Sequence, residues 1–565
     1  MKDNKKATAP DWVNIPPAPH TFRSIFKWGA PDEFKHPNAG FLAVVSDALG
    51  LADSRFQATG DTGEEPVSCE IPSRLSRGDA DTLAAIVGEE NFSFGDYDRL
   101  KYSTGKAMED ILKLRAGMVD NLPDMVLHPR DQSDVEKIVS FCHEKKIPVY
   151  VYGGGSSVTL GLECNHGGVT LVMGTHMNRM LAFNEVNRTI TVEPGMMGPA
   201  YEDLLNNAPE QLGAAHRYTG GHFPQSFEFS SVGGWVVTLG AGQASSYYGD
   251  AYDLVVSQKY VTPAGTFKTL DYPATATGPK VNDIMKGSEG CYGVLVAVTM
   301  KIFRYRPENS RLFALMFPDW ESGVNATREI SQGEFGMPSI MRISDPEETD
   351  LGLKMYGIDD SLLDRFMRFK GMQPGSRCLF IGQADGEKGF ARNVKKNVKQ
   401  IAARHGAMYL TAYPMKKWMH GRFSDPYMRE DLNDFGILID TLESSVTWDN
   451  LHQLYQGVRT YIKQHAPIIC MTHASHFYPQ GTNLYFIFLA PMNDLTVFRK
   501  FQRGIIEAIV QHGGSLSHHH GVGRMMGPWM ERHLGKEQMN ILRAVKDHLD
   551  PHDIMNPGGT LGLDG

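Results

Sequence analysis

The sequence lacks long apolar runs and any excess of basic residues. It contains no stretch of about 18 apolar residues, the length that spans a bilayer as a helix. Its first residues, MKDNKKATAPDW, contain no apolar signal core. Lys and Arg number 56 against 65 Asp and Glu, a net charge of −9. Because nucleic-acid-binding domains are normally basic, we expect no nucleic-acid partner. The lack of a membrane-spanning run and of a signal core predicts a cytoplasmic protein.

Cysteine is also scarce. The six cysteines are scattered, and no two of them form a CxxC pair. Spacing of this kind is typical of reduced thiols in a cytosolic protein. It therefore predicts neither a disulfide framework nor a zinc or iron–sulfur site built from cysteine.

A glycine-rich stretch stands out in the remaining sequence. Residues 148–161 read PVYVYGGGSSVTLG, an apolar strand that runs into three consecutive glycines. Three residues without Cβ atoms let backbone N–H groups approach an anion closely, as in a pyrophosphate cradle. The stretch has neither the Gly-Lys-Ser/Thr of a P-loop nor the GxGxxG of a Rossmann turn. An ordinary glycine turn is the alternative.

The length and the pattern of strands and helices predict several domains. A chain of 565 residues exceeds one hydrophobic core and favours two to four domains. From residue 123 the pattern is strand, helix, strand, the last strand entering the glycine stretch. From about residue 310 to 495 strands and helices alternate again, which predicts a second α+β unit.

Two further Gly- and Ser-rich loops lie next to predicted strands. Residues 220–234 read GGHFPQSFEFSSVGG, and residues 287–293 read GSEGCYG. Each could be a plain surface loop. Together with the glycine stretch, they favour one long cofactor threaded between three loops.

The order of these motifs resembles a known superfamily. GGGSS, FPQSFEFSSVGGW, GQASSYYGDAYDLV and KGSEGCYGVLVAVTMKI follow one another as in the vanillyl-alcohol-oxidase-like, PCMH-type FAD-linked oxidoreductases. Within it, the chain is most similar to the alkyldihydroxyacetonephosphate synthase (alkylglycerone-phosphate synthase) family of ether-lipid enzymes, from about Trp28 to the C-terminus. The most specific piece is GGSLSHHHGVGRM, residues 513–525.

This resemblance implies an α+β fold. It consists of a two-part PCMH-type FAD-binding domain, a ferredoxin-like α+β cap domain and a helical N-terminal extension. The implied ranges are 1–120 for the extension, 121–308 for the FAD-binding domain, 309–495 for the substrate-binding cap, and 496–565 for a segment that carries the histidine triplet back to the FAD domain.

The resemblance also implies which residues hold FAD. They are the glycine loop, the second loop, the small residues after Trp235 and the third loop: Tyr152, Gly153, Gly154, Gly155, Ser156, Ser157, Val158, Pro224, Gln225, Ser226, Phe227, Glu228, Phe229, Ser230, Val237, Thr238, Leu239, Gly240, Ala241, Gly242, Glu289, Gly290, Gly293, Val294 and Leu295. Some relatives attach FAD through a histidine in the glycine loop. Ser156 and Ser157 occupy that region here, so noncovalent FAD is expected, and His222 keeps covalent attachment open.

For the substrate, the resemblance implies a catalytic Arg342, a substrate-binding Arg429 and an acid/base Tyr478. An arginine fork can bind a phosphate or carboxylate through two N–H donors. A plain surface ion pair is the alternative for either arginine. His473 and His476 lie on the segment that carries Tyr478 and could equally be ordinary polar residues of a strand.

The triplet His518, His519 and His520 supplies further catalytic candidates. If the segment is extended, successive side chains alternate, so one or two histidines reach the substrate and another supports the backbone. A metal site is the competing interpretation, since imidazole is a common ligand. The i, i+4 spacing usual for ligands is missing, so the prediction is that no metal binds.

The implied reaction replaces the acyl group of acyl-dihydroxyacetone phosphate by a fatty alcohol, through an adduct at flavin N5 and without an electron acceptor. The main alternative is an FAD-linked D-2-hydroxy-acid dehydrogenase of the lactate or glycolate kind, which passes electrons to an acceptor protein. Two departures from the synthase pattern favour this dehydrogenase alternative. Leu239 replaces part of an Arg-containing segment of the synthases, and segment 473–478 is altered. A flavoprotein without turnover is a third alternative.

The expected partners are a small-molecule or lipid substrate and a second copy of the chain in a homodimer. The basic helix predicted over 392–404 suggests a peripheral membrane contact, and a solvated face is its alternative.

Overall fold

The computed structural model describes residues 10, 12–465, 467–558 and 560–563. Helices and strands are mixed along the chain, which confirms the predicted α+β class. The helices of the described residues are Phe22–Phe26, Ala39–Leu49, Arg77–Val87, Asp96–Lys101, Met108–Arg115, Gln132–Lys145, Gly198–Asn206, Ala208–Leu212, Val232–Val237, Ser245–Tyr248, Ala251–Leu254, Val281–Met285, Trp320–Ser331, Pro346–Met355, Leu362–Phe369, Lys388–Arg404, Tyr413–Gly421, Met428–Asp434, Leu451–Lys463, Leu495–Gln511, Gly523–Met526, Met530–Leu534 and Lys536–Leu549.

The first sheet delivers the glycine loop. Its strands, in the order β1-β2-β4-β3, are β1 (Phe92–Ser93), β2 (Met125–Leu127), β3 (Val149–Tyr152) and β4 (Val169–Val172). Strands β2 and β3 both run parallel to β4, and the helix Gln132–Lys145 connects β2 to β3. Because β3 ends at Tyr152, the three glycines begin at the carboxyl edge of a parallel sheet, where α/β folds commonly bind ligands.

The second sheet is antiparallel and contributes the other glycine-rich loops. Its order is β5-β6-β10-β8-β9, with a separate ribbon of β7 and β11. The strands are β5 (Met180–Asn184), β6 (Thr189–Val192), β7 (Tyr218–Thr219), β8 (Val255–Thr262), β9 (Gly265–Lys268), β10 (Val294–Lys301) and β11 (Phe303–Arg304). The third loop, residues 287–293, leads directly into the buried strand β10.

The third sheet belongs to the second half of the chain and is antiparallel throughout. Its order is β15-β12-β14-β13-β17-β18-β16. The strands are β12 (Arg311–Phe317), β13 (Ile340–Ser344), β14 (Cys378–Ala384), β15 (Met408–Tyr409), β16 (Leu438–Thr447), β17 (Ile469–Ser475) and β18 (Gly481–Ala490).

The two faces of this sheet have different roles. Along β18, Phe486 and Phe488 are fully buried in the main hydrophobic core, together with apolar side chains of the covering helices. Tyr485 and Ile487, at the alternate positions, line a cavity on the other face. This alternation follows from the two-residue period of a strand.

The basic helix predicted over 392–404 is part of Lys388–Arg404. Val394, Val398 and Ile401 are buried in the core, so the apolar side of the helix is occupied by protein. Its basic side chains therefore point outward, as the solvated-face alternative expects.

Segments near both ends of the described chain pack against its body. The helix Phe22–Phe26 contributes to the same core as Met108–Arg115. Near the C-terminus, Met555 pairs with Val149 at the edge of the first sheet. No helix among the described residues is long and apolar enough to cross a membrane. The four domain ranges given above stay predictions.

Candidate functional site

A cavity of about 410 Å³ lies between the glycine-rich loops and the open face of the third sheet. All three loops and the small-residue segment after Trp235 reach it, although they are far apart in sequence. The predicted cofactor residues on its wall are Gly153, Gly154, Gly155, Ser156, Ser157, Val158, Pro224, Gln225, Ser226, Ser230, Val237, Thr238, Gly240, Ala241, Glu289, Gly290, Gly293 and Leu295.

The other predicted cofactor residues do not line the cavity. They are Tyr152, Phe227, Glu228, Phe229, Leu239, Gly242 and Val294, none of which is among the lining residues. Leu239 has a positive φ of 53° and lies next to Gly287, whose missing side chain leaves room for it. This residue, which departs from the family pattern, therefore packs behind the cavity.

The glycine loop meets the second loop backbone to backbone. A Cβ added to Gly154 would lie 2.4 Å from the carbonyl oxygen of Phe229 and 2.8 Å from the Cα of Ser230. Gly155 has a φ of +72°, which side chains other than glycine rarely adopt. Gly154 requires glycine because the two loops touch, and Gly155 requires it because of its backbone conformation and because a Cβ there would meet the Tyr152 hydroxyl.

Gly154→Ala should therefore separate the loops and empty the cofactor site. We expect the flavin absorbance per protein to fall at least about tenfold, because backbone atoms cannot move aside as a flexible side chain can. Gly389→Ala is the matched control, since a Cβ there meets nothing within 4 Å. Full flavin content in Gly154→Ala would contradict the contact.

Glu289 ties the third loop to the segment that follows the histidine triplet. Its carboxylate accepts hydrogen bonds from the N–H groups of Val522, at 2.6 Å, and Gly523, at 2.8 Å. Burial raises the pKa of Glu289 to about 7 even though both donors act to lower it. The residue that the resemblance assigned to the cofactor thus also holds two parts of the cavity wall together.

Arg429 lines the cavity, and most of its donors are unused. The guanidinium Nη1 donates to the carbonyl of Lys106 at 3.1 Å, whereas Nε and Nη2 are buried without a hydrogen-bond partner among the described residues. Burial lowers its pKa, and the charge of Asp440 opposes that shift. Burial in turn raises the pKa of Asp440 to about 6. A buried cation with two free N–H groups is suited to an anionic ligand.

Arg342 lies on the same wall but already has a partner. Its Nη2 is 2.5 Å from Oε1 of Glu348, which is also 3.2 Å from Nδ1 of His473. Burial alone would raise the pKa of Glu348, but the charges of Arg342 and His473 outweigh it and hold the pKa below its usual range. The two predicted arginines therefore differ, because Arg342 is largely neutralised.

The histidine triplet bends around a buried carboxylate. The backbone N–H groups of His518, His519 and His520 all lie within 3.1 Å of Oε1 of Glu443, and the hydroxyl of Ser517 donates to the same oxygen at 2.7 Å. The segment is bent rather than extended, because converging on one acceptor requires consecutive bends. The prediction missed Glu443 since it lies about 75 residues upstream.

The three imidazoles form one continuous cluster with two tyrosines. Tyr478 Oη is 2.7 Å from Nε2 of His518, and Tyr485 Oη is 3.1 Å from Nε2 of His520. His519 lies between them, with its Nδ1 3.0 Å from Nδ1 of His518. His519 and His520 line the cavity, whereas Tyr478 and His518 stand behind them.

Burial sets the protonation of this cluster. It lowers the pKa of His518, His519 and His520, so the imidazoles are neutral near pH 7 and can accept a proton. Burial raises the pKa of Tyr485 to about 12 and that of Tyr478 further above its ordinary value. The tyrosines are thus hydrogen-bonded phenols, and the arrangement provides proton donors and acceptors side by side.

Ligand atoms of Glu443, His518 and His519 come within 4.8 Å of one another, as a metal site would require. However, the Glu443 carboxylate already accepts the N–H and O–H donors of the triplet segment. A cation would have to compete with them. The geometry is that of a capped loop, and the absence of a metal remains a prediction.

His222 is buried behind the cavity wall. Its ring packs against Trp235, with centroids 4.7 Å apart, and within the described part of the chain neither ring nitrogen has a hydrogen-bond partner. Burial lowers its pKa to about 3. His222 is not among the residues that line the cavity.

Several lining residues escaped the sequence interpretation. They include Trp28, Trp418, Asp440, Thr441 and Tyr485, whereas His473 and His476, left open by the sequence, also line the cavity. The alternation of LYFIF could have identified Tyr485, because Leu484 and Phe486 are buried on the opposite face. No local pattern marks Trp28, which reaches the cavity from the N-terminal extension.

The cavity fits a flavin dinucleotide. Its volume lies within the range of small-molecule and cofactor sites, about 300–1,000 Å³. A Cβ added to Gly290 would meet no protein atom closer than 3.8 Å, so the space beside this glycine is open. Four glycine-rich or small-residue segments offer backbone groups along the cavity, as binding of a long anionic cofactor requires.

Comparison with known proteins agrees with this geometry. The protein-family model described as "FAD binding domain" matches residues 123–271, and the family model "FAD linked oxidases, C-terminal domain" matches residues 306–560. The alkyldihydroxyacetonephosphate synthase of Dictyostelium discoideum is 31% identical over 81% of this chain and 76% of its own length. That of Trypanosoma brucei brucei is 28% identical over 93% and 88%.

A solved structure of an alkyldihydroxyacetonephosphate synthase superposes with a TM-score of 0.80 at 25% identity, covering 94% of this chain and 98% of that one. The resemblance read from the motifs is thereby confirmed at the level of the superfamily and of the closer group. The chain belongs to the alkyldihydroxyacetonephosphate synthase family of FAD-dependent enzymes.

Proposed function

We propose that this protein exchanges the acyl group of acyl-dihydroxyacetone phosphate for a long-chain alcohol, with FAD bound noncovalently. The observation that carries the proposal is that Arg429, whose Nε and Nη2 have no hydrogen-bond partner among the described residues, lines the same cavity as His519, His520 and the glycine loop. One compartment thus combines an anion anchor, neutral bases and a flavin site. The membership of the chain in the synthase family supports the same substrate.

The exchange is balanced without an external oxidant. A proton leaves the carbon next to the ketone, the C–O bond to the acyl group breaks, and the fatty acid departs with its electron pair. The alcohol oxygen then forms a new C–O bond and loses its proton, and the carbon recovers one. FAD, when bound, supplies the electron-accepting ring system beside which this exchange takes place.

The residues of the chain then have separate tasks. Arg429 binds the phosphate through Nε and Nη2, because the phosphate would not have to displace a protein partner from these two nitrogens. His519 and His520, neutral and on the cavity wall, accept and return protons. Arg342, on strand β13, polarises the ketone region while Glu348 holds its orientation.

Tyr478 acts through His518, since its hydroxyl lies 2.7 Å from Nε2 of that ring. Tyr478→Phe should lower kcat about 10- to 100-fold, less than the roughly 10²–10⁴ that a general acid or base in direct contact with substrate contributes, because Tyr478 acts through His518. The variant should leave flavin content unchanged. Tyr461→Phe, at a half-buried position of the helix Leu451–Lys463 that does not line the cavity, is the control. An unchanged kcat in Tyr478→Phe would show that the tyrosine takes no part in proton transfer.

Noncovalent binding is proposed because serines occupy the loop position and His222 faces Trp235. Acid precipitation should release all flavin into the supernatant. Flavin that stays with the protein pellet would reverse this proposal without affecting the reaction.

The hydroxy-acid dehydrogenase alternative would place a carboxylate on Arg429 and transfer a hydride to the flavin. Anaerobic addition of D-lactate or glycolate would then bleach the flavin. We expect no lasting bleaching with these acids and a spectral change only with acyl-dihydroxyacetone phosphate. The homodimer and the cytoplasmic location inferred from the sequence remain predictions.

A further inference from the structure

His476 occupies a strained turn directly after strand β17. Its φ is +55°, a backbone conformation that residues other than glycine rarely adopt. Its side chain is buried and lines the cavity. The centroid of its ring lies 4.9 Å from that of His518 and 4.8 Å from that of His519. Because such strain persists only where the surrounding contacts fix it, the imidazole is held beside the histidine triplet by its neighbours.

Two consecutive serines of the helix Ser245–Tyr248 make these contacts. The Oγ of Ser245 is 2.7 Å from Nδ1 of His476, and the Oγ of Ser246 accepts the N–H of Phe477 at 2.9 Å. Each serine lies 231 residues before its partner in the chain. Ser245 is 4% exposed, so its hydroxyl meets the imidazole in the protein interior.

The Ser245 hydroxyl also reaches Tyr478, two residues after His476. Burial raises the pKa of Tyr478, and a hydrogen bond from Ser245 opposes that shift. A hydrogen bond that lowers the pKa of a phenol is one donated to its oxygen. Ser245 therefore donates to Tyr478 Oη, and its own oxygen accepts the Nδ1 proton of His476. The Nε2 of His476 is then unprotonated, and it has no hydrogen-bond partner among the described residues.

These hydrogen bonds continue those of the triplet. Tyr478 Oη is 2.7 Å from Nε2 of His518, whose Nδ1 is 3.0 Å from Nδ1 of His519. A single chain thus runs from His476 through Ser245 to the triplet. We propose that this chain is a proton relay between two imidazoles that line the cavity, those of His476 and His519.

One passage along the relay moves one proton and leaves every group neutral. When Nε2 of His476 accepts a proton, its Nδ1 proton passes to Ser245, and the Ser245 proton passes to Tyr478. The Tyr478 proton goes to Nε2 of His518, whose Nδ1 proton goes to Nδ1 of His519. His519 then releases the proton on its Nε2. Only bonds to hydrogen form and break, so no oxidant or reductant is needed.

The proposed exchange has a use for such a relay. It removes a proton from carbon, removes another from the alcohol and returns one to carbon. Two imidazoles that share one relay serve both positions without a water molecule entering the cavity. Burial lowers the pKa of His476, as it does for the triplet, so the relay starts from neutral rings. This catalytic use rests on the proposed function, whereas the chain of hydrogen bonds does not.

The first test requires no turnover. It is ¹⁵N nuclear magnetic resonance of the FAD-loaded protein labelled at histidine, with His476→Gln to identify the resonances of that ring. His476 should carry its proton on Nδ1, and Ser245→Ala should move it toward Nε2, because Nδ1 loses its acceptor. Ser246→Ala, which removes the neighbouring hydroxyl from outside the relay, should keep the wild-type tautomer. A His476 ring protonated on Nε2 in the wild-type protein, or resonances that Ser245→Ala leaves unchanged, would overturn the relay.

Kinetics then test the role of Ser245 in turnover. Ser245→Ala should lower kcat about 10- to 100-fold and raise the solvent deuterium isotope effect on kcat, because proton transfer becomes limiting. The KM for acyl-dihydroxyacetone phosphate and the flavin content should stay unchanged. Ser246→Ala should keep the wild-type isotope effect. Equal isotope effects in the two variants would make Ser245 merely structural and overturn the relay. If the wild-type protein forms no ether but shows the predicted tautomer, the proposed function fails and the hydrogen-bonded chain stands.

Discussion

Arg429→Ala should lower kcat/KM for acyl-dihydroxyacetone phosphate about 100- to 10,000-fold while FAD stays bound. Two charge-assisted hydrogen bonds, each about 1.5–3 kcal/mol, would be lost. The reason for so large an effect is that Nε and Nη2 find no hydrogen-bond partner in the described residues, so we expect the substrate anion to accept their hydrogen bonds. Steady-state kinetics with flavin content measured on each preparation gives the result.

Arg429→Lys is the informative companion variant. It keeps a positive charge but loses the planar fork, so an intermediate defect is expected. Arg499→Ala removes a cation that pairs with Glu109 away from the cavity and serves as a control. A defect in Arg429→Ala that is fully explained by loss of flavin would contradict the assignment of this arginine to substrate.

Glu443→Ala should abolish activity and lower thermal stability, because it leaves three backbone N–H groups and the Ser517 hydroxyl without their buried acceptor. Each buried unsatisfied donor costs about 1–3 kcal/mol. Glu443→Gln, which keeps one oxygen, should retain the fold with a smaller loss. Calorimetry and turnover measurements on both variants test this.

The pH dependence of the same residue has a definite sign. Burial acts to raise the pKa of Glu443, but His520, His518 and the donor groups outweigh it, and the pKa lies below the ordinary value. Its stabilising effect is therefore present above the pKa of an unfolded glutamate and is lost as the pH falls through the lower, folded-state value. Glu443→Gln should lack this loss of stability at acid pH. If the stability of the variant falls with pH as that of the wild-type protein does, Glu443 is not the group responsible.

Local sequence patterns predicted much of the fold and part of the site. The glycine loop, the second loop and the third loop are contiguous motifs, and each reaches the cavity because each directly follows or precedes a strand. The alternation of strands and helices likewise predicted the α+β class. These features depend on neighbouring residues, which a sequence displays directly.

Features that depend on long-range pairing escaped prediction. Glu443 on β16 caps the histidine triplet, and Asp440 on the same strand lines the cavity near enough to Arg429 for their charges to interact. Trp28 arrives from the N-terminal extension. The difference between Arg342, paired with Glu348, and the free Arg429 is also invisible in the sequence, since it is decided by which carboxylate the fold brings within hydrogen-bonding distance.

The most direct test of the proposed reaction is mass spectrometry of the products formed anaerobically from acyl-dihydroxyacetone phosphate and a long-chain alcohol. The FAD-loaded protein should release fatty acid and the alkyl ether in equal amounts over many turnovers, without any electron acceptor. Absence of the ether, together with bleaching of the flavin by 2-hydroxy acids, would contradict the account and assign the site to a dehydrogenase.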